Sequence, residues 1–221
     1  MILLTERFQV NKMRNVEFIT LVVGPLETNC YLVYCGETRD CLIIDPGAEP
    51  EKIIKAIKEN NLHPIALINT HGHVDHIGAN LEIKNKFGLP LYLHQADLNL
   101  LQQAHKGELS FFIQAKPSPP PDEFLEDGQE IDFGHCKLKV IHTPGHTPGS
   151  VSLYGEGLLF SGDTLFNGGV GRTDLPGGDW SELQKSLKEK ILSLPDETEV
   201  LPGHGPMTTI AREKAENPFL L

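Results

Sequence analysis

The sequence predicts a layered α/β fold, and two features of its pattern lead to this prediction. In the first half, short segments rich in Val, Ile, Leu and Tyr alternate with segments of helical spacing, in the order strand–helix–strand–helix–strand. In the second half, over 129–165, short apolar segments are separated by Gly and Pro turns, which predicts hairpins. The sequence contains no repeat, so we expect two α/β halves that form one domain.

The first half contains the alternating elements. Runs of β-branched, Leu and Tyr residues predict five strands: 16–23, 30–35, 41–44, 65–69 and 90–93. Apolar residues at helical spacing predict three helices: 51–60, 77–87, which ends at Gly88, and 95–106. The stretch DPGAEP (45–50) has the composition of a turn.

The second half begins with a proline-rich stretch, 116–124, which is too short for a domain linker and predicts a surface loop. After the hairpins, we predict a helix over 180–193, with Asp179 or Ser181 as its N-cap. A strand over 198–201 and a last helix over 208–216 follow.

Composition and charge limit the classes of function. The chain has 221 residues and a formal net charge of -11, which argues against nucleic acid as a partner. The amino terminus lacks a signal-peptide core, and no apolar run is long enough to span a bilayer, so we expect a cytoplasmic protein that does not bind membranes. We expect residues 1–12 to be an extension and 13–221 to be the domain.

The four cysteines are expected to be buried free thiols. They have no CxxC spacing, and most of them stand in apolar, strand-like contexts. Free thiols suit a reducing cytoplasm, and we favour them over disulfides or zinc ligation. The residues are Cys30, Cys35, Cys41 and Cys136.

The stretch NTHGHVDHIG (69–78) is the strongest functional signal. It places His71, His73, Asp75 and His76 within six positions, between a predicted strand and a predicted helix. So many imidazoles held against a core need a partner that offsets the cost of burying them. Because ligand sites of α/β folds lie at the carboxyl ends of strands, we predict a metal site here.

Three other turn-like stretches carry candidate ligands. HTPGHTPGS contains His146 between two Pro-Gly pairs, FSGDTLF contains Asp163 after a strand, and LPGHGP contains His204 after another strand. With the first stretch they supply five histidines and two aspartates, which predicts two adjacent metal sites with nitrogen and oxygen ligands. Zinc is the expected metal, with iron and manganese as alternatives.

These motifs resemble those of the metallo-β-lactamase fold superfamily, from about Phe18 to Met207. The HxHxDH string carries the resemblance, and GDTLF, GRTDLPGGD and PGHGP are similar to the small, single-domain glyoxalase II-like hydrolases. The resemblance implies a four-layer αββα sandwich with two metals at one edge of its sheets. It further implies that one metal is held by His71, His73 and His146, that the other is held by Asp75, His76 and His204, and that Asp163 bridges them.

Three further residues are candidates for support or binding. Asp45 follows a strand in IDPGA, and we expect it to support the ligands without binding metal. His142, four residues before His146, is expected to play the same part. Arg172, in the Gly-rich stretch 168–179, would face a substrate carboxylate, or else pair with Asp174 as a structural residue. These two interpretations of Arg172 are equally supported by the sequence.

The resemblance implies hydrolysis of a thioester such as S-lactoylglutathione, by attack of a metal-bound hydroxide that Asp75 and Asp163 orient. Other thiol carriers, lactones and other esters are alternatives for the substrate. The alternative activity is that of persulfide dioxygenases, which share the fold, the HxHxDH string and a GRTD sequence. They use one iron, here on His71, His146 and Asp163.

Three other functions are less well supported. A metal-stabilised binding protein without catalysis would need a missing ligand, and none is missing. A β-lactamase is disfavoured because no secretion signal is present. A tRNA-processing nuclease is disfavoured by the acidic charge and by the lack of a basic insertion that would bind RNA. We therefore expect a small-molecule substrate.

Overall fold

Two six-stranded sheets pack face to face between outer helices, which confirms the predicted four-layer α/β sandwich. The computed structural model describes residues 15–106, 108–113 and 116–220. The expected extension over residues 1–12 lies outside these ranges.

The first sheet is formed by the amino-terminal half and has the strand order β1-β2-β3-β4-β5-β6. Its first three strands pair antiparallel, and its last three add in parallel. The strands are Val16–Val23 (β1), Thr28–Cys35 (β2), Asp40–Ile44 (β3), His63–Ile68 (β4), Leu91–His94 (β5) and Glu123–Leu125 (β6). The helices of this half are Pro50–Glu59 (α1), Val74–Ile77 (α2), Asn80–Phe87 (α3), Leu98–Gln103 (α4) and Glu108–Ile113 (α5).

The second sheet has the order β14-β13-β10-β9-β8-β7, antiparallel except for the parallel pair β13 and β10. Its strands are Glu130–Phe133 (β7), Cys136–His142 (β8), Val151–Gly155 (β9), Leu158–Gly162 (β10), Glu199–Pro202 (β13) and Thr208–Thr209 (β14). A small hairpin of Leu165–Phe166 (β11) and Gly169–Val170 (β12) stands apart from it. The helices are Trp180–Lys185 (α6), continued by a π-helical segment at Ser186–Ile191, and Ile210–Glu216 (α7).

Neighbouring residues of one strand belong to different layers of the core. On β3, Leu42 packs between the two sheets, whereas Ile43 packs under α1 and α3. On β10, Phe160 belongs to the core between the sheets, whereas Leu159 packs against α6 and α7. Side chains alternate across a strand, so strands buried on both faces are apolar throughout. This explains the continuous apolar runs of the sequence.

The predicted helix over 77–87 is wrong at its start, because the chain forms two helices there. α2 ends at Ile77 and α3 begins at Asn80. The amide of Ala79 donates to the carbonyl oxygen of Pro46 at 2.9 Å, instead of extending the first helix. This bond joins the His-rich segment to the turn after β3.

Two other predictions needed correction. The segment predicted as one helix over 95–106 is α4 flanked by 3₁₀ turns at Gln95–Asp97 and Ala104–Lys106, and α5 follows it. The predicted loop 116–124 ends inside β6, which adds to the sheet beside β5. By contrast, Asp179 caps α6 as predicted, accepting from the amide of Glu182.

The four cysteines are buried and free, which confirms the prediction for their thiols. Within the part of the chain that the structure describes, no helix is both long and apolar enough to cross a bilayer.

Candidate metal centre

All seven predicted ligands converge at one edge of the sandwich, where strands of both sheets end. Each of them stands at or shortly after the end of a strand or in a loop that joins two strands. β4 leads into the segment with His71, His73, Asp75 and His76, the turn between β8 and β9 carries His146, β10 is followed by Asp163, and β13 is followed by His204.

Three imidazoles form what we call the three-histidine group: His71, His73 and His146. Their donor nitrogens lie within 4.8 Å of one another. His73 Nδ1 and His146 Nε2 are 2.9 Å apart. This is the set of residues that the resemblance assigned to one metal.

A second set, which we call the mixed group, consists of Asp75, His76 and His204. The two Nε2 atoms are 3.3 Å apart, and Asp75 Oδ2 lies 3.3 Å from His204 Nε2 and 3.6 Å from His76 Nε2. This is the set that the resemblance assigned to the other metal.

The carboxylate of Asp163 lies between the two groups. Its Oδ1 is 3.4 Å from His76 Nε2, and its Oδ2 is 3.6 Å from both His146 Nε2 and His204 Nε2. One carboxylate therefore faces donor atoms of both groups, as the predicted bridging position requires.

Two observations show that this donor set fits metal ions. Among the described residues, His71 Nε2 and Asp163 Oδ1 are buried without a hydrogen-bond partner, and such orphaned polar atoms are costly unless something binds them. In addition, the 2.9 Å between the His73 and His146 donors and the 3.6 Å between the Asp75 and His76 donors bracket the ~3.3–3.4 Å between neighbouring ligands of a tetrahedral zinc ion with bonds of about 2.0–2.1 Å.

Asp45 orients two of the histidines, as expected for a supporting residue. Its Oδ2 accepts from the hydroxyl of Thr70 at 2.7 Å and from Nδ1 of His76 at 3.0 Å, and its Oδ1 accepts from the amide of Thr70. The Thr70 hydroxyl in turn accepts from Nδ1 of His71 at 3.1 Å. With their Nδ1 protons so engaged, both rings point Nε2 at the site.

Backbone carbonyls orient two more rings. Nδ1 of His146 donates to the carbonyl oxygen of Arg172 at 2.7 Å, and Nδ1 of His204 donates to that of Leu26 at 3.0 Å. Each bond fixes the tautomer that leaves Nε2 as the metal-binding nitrogen.

The histidines differ in their protonation. Burial, followed by the charges of neighbouring imidazoles, holds the pKa of His71 well below its ordinary value and lowers the pKa of His73 to about 3. Burial also lowers the pKa of His76, but three carboxylates, Asp163 foremost, outweigh it and raise that pKa to about 10. A metal that binds His76 would therefore displace a proton.

His142 lies away from the donor atoms. Its Nε2 donates to the carbonyl oxygen of Pro148 at 2.9 Å, and its ring stacks on His94 with centroids 4.0 Å apart. His142 therefore contacts the loop of His146 rather than the metal donors.

We predict that His142→Ala keeps both metals and destabilises the chain by about 1 kcal/mol, the typical net worth of one hydrogen bond. Metal content by elemental analysis and thermal unfolding test this. Loss of either ion in this variant would mean that the ligand set is wrong.

A cavity of about 420 Å³ opens over the donor atoms. Besides metal-site residues it is lined by apolar side chains and one guanidinium: Leu26, Val74, Phe166, Val170, Leu175 and Arg172. Its size falls within the range of small-molecule sites.

Arg172 combines both of its predicted settings. It lines the cavity, but its Nε and Nη2 donate to the two carboxylate oxygens of Asp174 at 2.8 and 2.7 Å. This pair is largely exposed and leaves Nη1 outside the bidentate contact. The role of its carbonyl in orienting His146 was not predicted.

Sequence analysis also missed Asp97, Thr70 and the carbonyl of Leu26. Asp97 is fully buried and accepts hydrogen bonds from both segments that carry the three-histidine group. Its position just after β5, at the same edge of the sheet as Asp45, is the signal that could have identified it.

Comparison with known proteins finds a family model and several relatives that match this chain. The family model described as the metallo-beta-lactamase superfamily matches residues 23–204, a range that contains all seven candidate ligands. The chain is 37% identical over 210 residues to "Hydroxyacylglutathione hydrolase GloC" of Haemophilus influenzae, covering 93% of this chain and 98% of that protein.

Two solved structures resemble the whole sandwich. BLEG-1, described as a B3 metallo-beta-lactamase, has 41% sequence identity and a TM-score of 0.86, over 92% of this chain and 99% of its own. TTHA1623, described in a di-iron-bound form, has 44% identity and a TM-score of 0.84, over 91% of this chain and 100% of its own.

Proposed function

The chain belongs to the metallo-β-lactamase superfamily, and on that premise we propose that it is a dinuclear metal-dependent hydrolase of small thioesters such as S-lactoylglutathione. The position of the Asp163 carboxylate is the observation that carries the proposal. Its carboxylate faces both groups of donors, and its Oδ1 is buried without a hydrogen-bond partner. Six donor residues around one shared carboxylate suit two ions better than one.

Two divalent cations, when bound, would lower the pKa of a water molecule to about 7 and polarise the substrate carbonyl. Asp75 is the residue that we propose to orient the attacking water. Burial alone would raise the pKa of Asp75, but His76 and His204 outweigh it and hold that pKa below its ordinary value. Its carboxylate is therefore ionised at neutral pH and can accept a hydrogen bond from water. The hydroxyl of Thr28 donates to Asp75 Oδ2 at 3.3 Å and helps to fix it.

Direct attack by water is supported by the cavity wall. No serine or cysteine is among the described residues that line the cavity, so none can form an acyl intermediate there. Cys30 and Cys41 are buried in strands, and burial raises the pKa of both thiols. A departing thiolate needs no general acid at neutral pH, because thiols have a pKa of about 8.5.

The cavity also bears on the class of substrate. Apolar side chains such as Leu26, Phe166 and Val170 form its walls and suit a small acyl group and a thiol stem. The likeness to the GloC protein supports glutathione as the carrier of the acyl group. The nitrogen and oxygen donors suit zinc or iron. We propose zinc, while the related TTHA1623 structure, described in a di-iron-bound form, makes iron the alternative.

A panel of substrates tests this proposal. The metal-loaded protein is given S-lactoylglutathione, an acyl thioester of another thiol, a lactone and a β-lactam, the last because of the likeness to BLEG-1. We expect the thioesters to be cleaved with the highest kcat/KM. A higher kcat/KM for the β-lactam or the lactone would contradict thioester hydrolysis.

Arg172 is proposed to bind a carboxylate of the substrate through Nη1 while Asp174 holds the rest of the guanidinium. Lys has no such fork, so Arg172→Lys should raise KM for S-lactoylglutathione and leave the metals bound. The variant loses one charge-assisted hydrogen bond at an exposed site, so we expect a loss of about tenfold in kcat/KM.

A small neutral ester serves as the control, because it has no carboxylate to bind. We expect the parent and the variant to hydrolyse it at similar rates. An equal fall for both substrates would assign Arg172 a purely structural part, and no fall for either would show that it points away from the substrate.

A further inference from the structure

We infer that Asp97 is a positioning residue that clamps together the two segments of the three-histidine group, and that it thereby sets the affinity of this group for its metal. The inference rests on the metal site of the proposed function and not on its substrate. Asp97 stands in the 3₁₀ turn after β5 and is fully buried.

The carboxylate of Asp97 accepts hydrogen bonds from both segments. Its Oδ2 accepts from the amide of Gly72, between His71 and His73, at 2.9 Å. The same oxygen accepts from the hydroxyl of Thr147, next to His146, at 2.7 Å, and Oδ1 accepts from the amide of Gly149 at 2.6 Å. One side chain therefore joins the segment of His71 and His73 to the loop of His146.

The packing around Asp97 leaves little freedom for this clamp. A Cβ atom on Gly149 would lie 2.7 Å from the backbone nitrogen of Asp97 and 2.6 Å from its Cγ. The loop of His146 can approach Asp97 this closely only because residue 149 is a glycine. Thr147 is held in turn by Ser150, whose Oγ is 2.8 Å from the Thr147 hydroxyl.

The chemistry of the three partners calls for a carboxylate. Two of them are backbone N–H groups, which can only donate, and they bond to different oxygens. Asparagine has the same shape but replaces one oxygen with an NH₂ group, so one amide would face another donor. Asp97→Asn therefore loses the bond from one of these two backbone amides and weakens the clamp without leaving a cavity.

The experiment isolates each metal group in turn. His204→Ala disables the mixed group, and His146→Ala disables the three-histidine group. In each background, Asp97→Asn is added and the affinity for Zn²⁺ is measured by competition with a chromophoric chelator. Residues that orient metal ligands typically change metal affinity by about 10- to 100-fold. We expect a loss of that size in the His204→Ala background and less than about threefold in the His146→Ala background.

Glu213→Gln provides a matched control. Glu213 is also a buried carboxylate with three partners, accepting from the hydroxyl of Thr208, the amide of Gly168 and the side chain of Asn217. It bonds neither ligand segment of the three-histidine group. We expect it to lower the unfolding temperature as Asp97→Asn does, without weakening Zn²⁺ binding in the His204→Ala background.

Unchanged Zn²⁺ affinity after Asp97→Asn in the His204→Ala background would overturn the inference, as would equal losses in both backgrounds. If Asp97→Asn does not fold, Thr147→Val removes the side-chain partner alone. It should weaken the same site severalfold, and no change there would also overturn the inference. A parent that binds fewer than two ions would instead contradict the proposed function, so the two failures are distinguishable.

Discussion

Asp163→Ala is expected to lose both metal ions and at least about a thousandfold in kcat/KM for a thioester, because metal activation of water contributes several kcal/mol to such reactions. The reason lies in the position of the carboxylate. Its Oδ1 faces His76 and its Oδ2 faces both His146 and His204, so its loss removes a donor from both groups. Elemental analysis and the thioester assay measure the two losses.

Asp174→Ala is the control for this variant. It removes a carboxylate from the neighbouring loop, but one that is exposed and paired with Arg172. We expect the control to keep both ions. Retention of one tightly bound ion and a tenth of the parent activity in Asp163→Ala would contradict a bridging role for Asp163.

Asp45→Ala is expected to weaken both metals by about 10- to 100-fold, since Asp45 orients His76 directly and His71 through Thr70. It should also destabilise the fold, because three buried donors lose their acceptor, each at a cost of about 1–3 kcal/mol. We therefore expect a loss of at least about 3 kcal/mol in the free energy of unfolding. Chelator competition and denaturant unfolding measure these effects.

Asp132→Ala, on the exposed face of β7, is the control for loss of an aspartate. It should change neither metal affinity nor stability by more than about 0.5 kcal/mol. If Asp45→Ala weakened only the ion of the mixed group, the path from Asp45 through Thr70 to His71 would have no part in metal binding.

Much of the fold could be predicted because the local pattern and the tertiary structure agree. Strands such as β2, β3 and β10 are buried on two faces, so their apolar runs stand out. The strand β1 was predicted with the bounds it has. The seven candidate ligands could be identified because each follows a strand or lies in a turn between strands, where α/β folds gather their polar groups. Their division into two groups came from the resemblance, and both groups are among the sets whose donor atoms lie within 4.8 Å of one another.

The errors arose where tertiary contacts decide the outcome. The break between α2 and α3 depends on a bond from Ala79 to the turn after β3, which helical spacing does not reveal. Asp97 is a single polar residue without a motif, and its role depends on loops that are distant in sequence. The pairing of Arg172 with Asp174 depends on the direction of the two side chains, which left two interpretations open.

Stepwise reconstitution tests the central claim most directly. Metal-free protein is titrated with Zn²⁺ while the initial rate of S-lactoylglutathione hydrolysis is followed. If two ions act on one substrate, we expect the rate to reach its plateau at two equivalents of metal per chain. A plateau at one equivalent would contradict the dinuclear account. So would a protein that hydrolyses no thioester but, with a single iron, consumes oxygen in the presence of glutathione persulfide.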